Sequence, residues 1–234
     1  FIGKDEDNER KEKSGRIIRQ SNLSEGDIVW KHAKEIWPEG KIFNEKMTIK
    51  DIKIGEVSDA YFVATLAAMS EFPRLILQLF KTVELPNDGS AIEVGLKIDG
   101  FWKIIPIDDM FPVRKSTNKP IFSDTETQAL WGVILEKAWA KVNGGYANII
   151  FGYPREVFET FTPFIITPIN TKKDNRTTLW ENIKDASNYN CIMACTTTDE
   201  TNGLEKVGLK ADENFYFVNA YDNDDKKSKG LKMM

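Results

Sequence analysis

The 234 residues are 41% hydrophobic and 29% charged, the balance of a globular chain long enough for one large domain or two small lobes. A formal net charge of −4 excludes the broad basic field of a nucleic-acid binder. No apolar run approaches the roughly 20 residues that span a bilayer.

In chain order, residues 1–20 are charged and poor in apolar side chains, so the first 27 residues are assigned to an N-terminal arm without a signal-peptide core. Order is expected from Ile28 and Trp30. The apolar stretch Tyr61 to Leu79 follows Ser58 and Asp59, either of which can cap a helix. Pro73 should end that helix and open another carrying Leu75, Ile76, Leu79 and Phe80. Ile92, Val94, Leu96 and Ile98 then alternate with other residues up to Asp99-Gly100, and Phe101 to Ile107 follows. Asp-Gly between two apolar runs predicts a hairpin with a type I′ turn, and Pro106 makes the second strand an edge. Leu130, Ile134, Ala138 and Val142 predict a helix over 128–142, closed by Asn143-Gly144-Gly145. A shorter helix is predicted over 154–161 from Pro154, and a boundary over 163–177. A helix near 179–187 then leads to strands Cys191–Thr197 and Asn214–Tyr221. Lys226, Lys227 and Lys229 beside Asp222, Asp224 and Asp225 read as a solvated tail over 222–234. Helices first and strands later imply an α+β protein of two lobes, 28–165 and 166–221.

The residue inventory leaves little room for catalysis. The single histidine, His32, lies between Trp30 and Trp37 and reads as a structural residue. Cys191 and Cys195, about 13 Å apart in an extended strand at ~3.3 Å per residue, cannot pair and are read as reduced, partly buried thiols of an intracellular protein. One His and two Cys make a poor zinc set, and phosphate-loop, HExxH and EF-hand patterns are missing. Asp108 and Asp109 point to opposite faces of a strand, which suits a turn cap or a pair with a base rather than a joint grip on one substrate atom.

Four segments carry a family resemblance. Gly55 to Ala67 (GEVSDAYFVATLA) resembles the calpain nucleophile motif Q-G-x-x-G-D-C-W-L-L-A-A-x-A. Trp102 to Pro112 (WKIIPIDDMFP) is similar to W-x-x-V-x-V-D-D-x-x-P. Trp131 to Gly144 (WGVILEKAWAKVNG) is similar to W-x-x-L-L-E-K-A-Y-A-K-x-N-G, and Phe158 to Thr162 (FETFT) to F-E-D-F-T. Together they span about residues 30–221 in the family's order. The resemblance implies the papain-like two-lobe cysteine protease fold, with a helical first lobe and a β-rich, incomplete second lobe.

It also implies that the site is degenerate. The nucleophilic Cys, which opens a helix whose N-terminus favours the thiolate, corresponds to Ala60. The oxyanion Gln corresponds to Ile54, which has no donor. The His of G-H-A-Y-S-V corresponds to Asn214, and the Asn before Pro-Trp-Gly is expected beyond Met234. Three changed positions argue for natural decay over a single engineered Cys→Ala change. The family's first-lobe calcium site would keep Asp51 and lose its second carboxylate at Ala129, so the expectation is no cofactor and at most a weak calcium site. The leading reading is an inactive structural or protein-binding module of a larger assembly. Its cleft would be walled by Tyr61, Trp131 and Tyr216. Its partners would be proteins, with no nucleic acid and no membrane span, and by family analogy alone the place is the cytoplasm, with the cytoskeleton or cilium as a concrete case. Two alternatives stand beside it: a calcium-dependent cysteine endopeptidase, and a regulator that pairs with active calpains or their substrates.

Overall fold

A computed structural model of the chain describes residues 23–56, 59–169, 171, 175–197, 203, 204, 206, 208–211, 213–223 and 228–233. Most of the expected arm, residues 1–22, lies outside the described residues, as does Ser58. The elements run β1 (Ile28–His32), α1 (Ala33–Ile36), α2 (Ala60–Ser70), α3 (Pro73–Leu77), β2 (Ile92–Ile98), β3 (Phe101–Ile107), β4 (Met110–Arg114), α4 (Trp131–Val142), α5 (Pro154–Phe161), α6 (Arg176–Asn188), β5 (Met193–Thr196), β6 (Asn214–Asn223) and β7 (Ser228–Met233). Three small antiparallel sheets form, β1 with β4, β2 with β3, and β5-β6-β7. Helices with small antiparallel sheets give the expected α+β class.

Local chemistry accounts for the elements that match expectation. Asp99 and Gly100 both take positive φ, 54° and 83°, as a type I′ turn requires, and the hairpin pairs Ile98 with Phe101 through Ile92 with Ile107. Pro73 and Pro154 sit in the first turns of α3 and α5, where a missing amide costs nothing. After α4, Gly144 has φ 83° and the Gly145 amide donates to the Ala140 carbonyl, so the Asn-Gly-Gly run closes the helix.

Elsewhere pairing overrides local pattern. The second helix stops at Leu77, because the next residues join the hairpin: Gly95 N–H donates to Leu79 O (2.6 Å) and Lys81 N–H to Glu93 O (2.9 Å). Leu79 and Phe80 are buried there instead of on a helix face. β4 was not expected, since Pro112 interrupts a short run, yet Trp30 faces Pro112 across β1 and β4. α6 begins earlier than expected, at Arg176, because the Asn175 side chain accepts from Thr177 N–H (2.8 Å). β5 begins at Met193, which leaves Cys191 outside the strand and exposed rather than partly buried; Cys195 is half-buried, and both thiols are free. Residues 228–233, assigned to a solvated tail, form β7 along β6.

The core is continuous across the elements that frame the α2 N-terminus. Phe62, Leu66 and Met69 of α2 meet Ile134, Leu135 and Ala138 of α4, together with Val94 and Leu96 of β2 and Phe161 of α5. Phe62 stacks on Trp139 at 6.4 Å between ring centroids, and Phe161 meets both rings edge-on. Each such side chain contributes about 1.5–3 kcal/mol by leaving water. α4 is buried from Trp131 to Ala140, including Glu136 and Lys137, rather than on the single face its spacing predicts. It is a central helix, and its two charged residues need internal partners.

Candidate functional site

The chain enters α2 through a tight passage. Lys53 exchanges two backbone hydrogen bonds with Asp124, both 2.8 Å. A Cβ on Gly55 would lie 1.5 Å from the Phe122 carbonyl oxygen, so glycine is required there by contact rather than by dihedral angle. Asp59 occupies the N-cap position and its carbonyl accepts from Phe62 N–H (2.8 Å). Ala60 is the first helical residue and is half-buried. Its methyl has no lone pair and no acidic proton, whatever the helix dipole offers. Ile54 is an exposed aliphatic side chain one residue before Gly55. β5 and β6 pack against α2, and Asn214 opens β6. The Asn214 side-chain oxygen accepts from Thr196 Oγ (2.8 Å) across the sheet.

The three aromatic residues expected to wall a cleft are core residues. Tyr61, Trp131 and Tyr216 are 3%, 0% and 2% exposed. The Tyr61 hydroxyl accepts from Trp139 Nε1 (2.9 Å), and its ring lies 2.6 Å from where a Cβ on Gly152 would stand. Burial of large aromatic surface explains why they lie in the core, and the polar tips of Tyr61 and Trp131 find partners in Trp139 and Asp51.

Asp51 is closed off. Its Oδ1 accepts from Thr48 Oγ1 (3.1 Å) and Thr127 Oγ1 (2.7 Å), and its Oδ2 from Thr48 N–H (2.9 Å) and Trp131 Nε1–H (3.0 Å). Four donors fill the four acceptor positions of a carboxylate. Two are N–H groups, whose protons repel a cation, and the residue at 129 offers a methyl in place of an oxygen. This donor set does not fit a calcium ion, which takes six to eight oxygens. Millimolar calcium is therefore expected to leave the melting temperature unchanged; a saturable rise would locate calcium ligands elsewhere in the protein.

A second carboxyl cluster escaped the sequence reading. Asp59 and Glu136 are 0% and 1% exposed. Glu136 accepts from the Ser123 amide (2.9 Å) and Ser123 Oγ (2.6 Å). Among the described residues, neither buried oxygen of Asp59 has a hydrogen-bond partner, and Glu136 is the ionisable group that acts on it. Burial pushes the Asp59 carboxyl from 3.8 up to about 7, and burial together with the Asp59 charge holds Glu136 well above the usual carboxylate range. A glutamate directly after the apolar run Trp131 to Leu135 was the signal available in the sequence.

Asp108 and Asp109 each pair with a base. Asp108 accepts from Met110 N–H (2.9 Å) and pairs with Lys137 (2.5 Å). Asp109 pairs with His32 Nδ1 (3.0 Å), whose side chain is 60% exposed.

The sequence matches the family model for calpain family cysteine protease over residues 4–233. The chain belongs to the calpain family. It is similar to a calpain of Schistosoma mansoni, 31% identical over 174 residues that make up 72% of this chain and 23% of that protein. It is also similar to calpain-14 of Homo sapiens, 27% identical over 73% of this chain and 25% of that protein. Calpain-8 of Rattus norvegicus is 28% identical over 72% of this chain and 24% of that protein. The chain spans about a quarter of the length of these curated relatives. Among the described residues, no helix is long and apolar enough to cross a membrane.

Proposed function

We propose that this is a catalytically inactive calpain domain that acts by binding protein partners within a larger assembly. The carrying observation is Ala60 at the first position of α2, where the family's nucleophile stands. Asn214 in place of the base and Ile54 in place of the oxyanion donor support the same reading, because each change removes a different part of the reaction. The two thiols offer no substitute. Cys195 lies in β5, and burial pushes its thiol up to about 11, away from the thiolate that cysteine chemistry needs. Cys191 lies just after α6 rather than at a helix start.

The outer surface supports a docking role. Phe101, Trp102 and Ile104 on the edge strand β3 are 73%, 49% and 48% exposed, a concentration of apolar surface suited to contact with other protein.

The test is hydrolysis of a fluorogenic peptide and of an unfolded protein by the full-length protein, with and without calcium. No turnover above a heat-inactivated control is expected. Calcium-dependent turnover that is blocked by a thiol-directed inhibitor would establish the protease reading instead. Restoring cysteine alone, Ala60→Cys, is expected to leave turnover at background, since the base and the oxyanion donor stay absent.

A further inference from the structure

A buried carboxyl pair, Asp59 and Glu136, lies at the start of α2. Asp59 precedes Ala60, and Glu136 belongs to α4, so the pair joins the first turn of one core helix to the middle of another. Both side chains are excluded from water. Two ionised carboxylates cannot hydrogen-bond to each other, because neither carries a proton to donate. In this position they would also repel at low dielectric.

Among the described residues, the groups facing the pair do not relieve that repulsion. Ser123 donates its amide and hydroxyl to Glu136 and gives nothing to Asp59. The Tyr146 phenol is held well above its usual range by burial, then by Glu136, Asp59 and Asp108, so it stays neutral and offers the pair no counter-charge. Lys137, the next residue on α4, gives its ammonium to Asp108 and to the Met110 carbonyl.

We propose that Asp59 and Glu136 share a proton, and that this proton is a pH-sensitive latch between α2 and α4. In the latched form one carboxyl is neutral and donates its O–H to the other. Loss of the proton leaves two buried negative charges that repel at low dielectric, and the start of α2 is driven away from α4.

The sign follows from linkage. Both carboxyls hold protons more tightly folded than unfolded. The stabilisation is complete below the unfolded value of 3.8 and is lost progressively as pH rises through about 7. Each proton held only by the folded state lowers the folding equilibrium constant about tenfold per pH unit across that window.

The test is chemical denaturation of the protein across this pH range, comparing wild type with Asp59→Asn and Glu136→Gln. An amide at either position donates to its partner without titrating. Both variants should lose at least one proton's worth of slope, about tenfold per pH unit, and each should be the more stable protein at the alkaline end. Wild type and both variants with equal slopes would overturn the proposal. Infrared spectroscopy of wild type supplies a readout that does not depend on the variants folding. A neutral carboxylic-acid carbonyl band should be present at pH 7 and disappear on alkaline titration. Its absence at pH 7 would overturn the shared proton.

Discussion

Gly55→Ala is expected to destabilise the domain by at least about 4 kcal/mol, far above the 1–3 kcal/mol usual for one added methyl group. The new Cβ would stand 1.5 Å from the Phe122 carbonyl oxygen, 2.4 Å from its carbon and 2.7 Å from the Ile121 oxygen. All three are backbone atoms, so no side chain can rotate out of the way. Relief requires the strands of chain at 53–55 and 121–124 to separate, which strains the two Lys53–Asp124 hydrogen bonds and the Glu126 N–H to Lys50 O bond (3.0 Å). Gly100→Ala is the natural comparison. It carries φ 83° at an open turn with nothing within 4 Å of a new Cβ, and should cost only about 1 kcal/mol. Denaturant midpoints of the two variants measure the difference. A Gly55→Ala protein as stable as Gly100→Ala would mean that the two backbones do not meet.

How far the sequence could be read depended on whether an element is determined by its own residues. The hairpin at 92–107 was legible because Asp-Gly needs positive φ twice and few other turns do. The starts of α3 and α5 were legible from proline. β4 and β7 were not, because Met110–Arg114 contains a proline and Ser228–Met233 carries lysines, and each becomes a strand only through its partner. Leu79 and Phe80 obeyed helical spacing and were still claimed by β2. For the site, Ala60, Ile54 and Asn214 came from family resemblance, since the individual residues have no chemistry to detect. Tyr61, Trp131 and Tyr216 were taken as cleft walls because they neighbour motif positions. Their size makes the core the better place for them. The Asp59–Glu136 pair was hidden because periodicity reports which positions are apolar, not which charged position lies inside.

Asp51→Ala is expected to cost about 3–5 kcal/mol, because it orphans donors instead of merely deleting a bond. Trp131 is fully buried, so its Nε1–H would have neither Asp51 nor water to meet. The Thr127 hydroxyl and the Thr48 amide lose the same acceptor. Asp51→Asn should recover only part of the loss. An amide nitrogen placed at either carboxylate position would face a donor: Thr48 N–H and Trp131 Nε1–H on one side, two threonine hydroxyls on the other. The hydroxyls can turn and accept, but the N–H groups cannot. Thr127→Val should cost less, about 1–3 kcal/mol, since Thr48 Oγ1 still reaches Oδ1 while the buried Ala129 N–H loses its Thr127 Oγ1 acceptor (3.3 Å). A double-mutant cycle between Asp51→Ala and Trp131→Phe should give a combined loss smaller than the sum, because the orphaned indole donor is then gone. Additive losses would mean that the two residues do not interact. The same network fixes the turn at Ile49–Asp51 to the start of α4, and it does so with this chain's own hydroxyl, amide and indole donors.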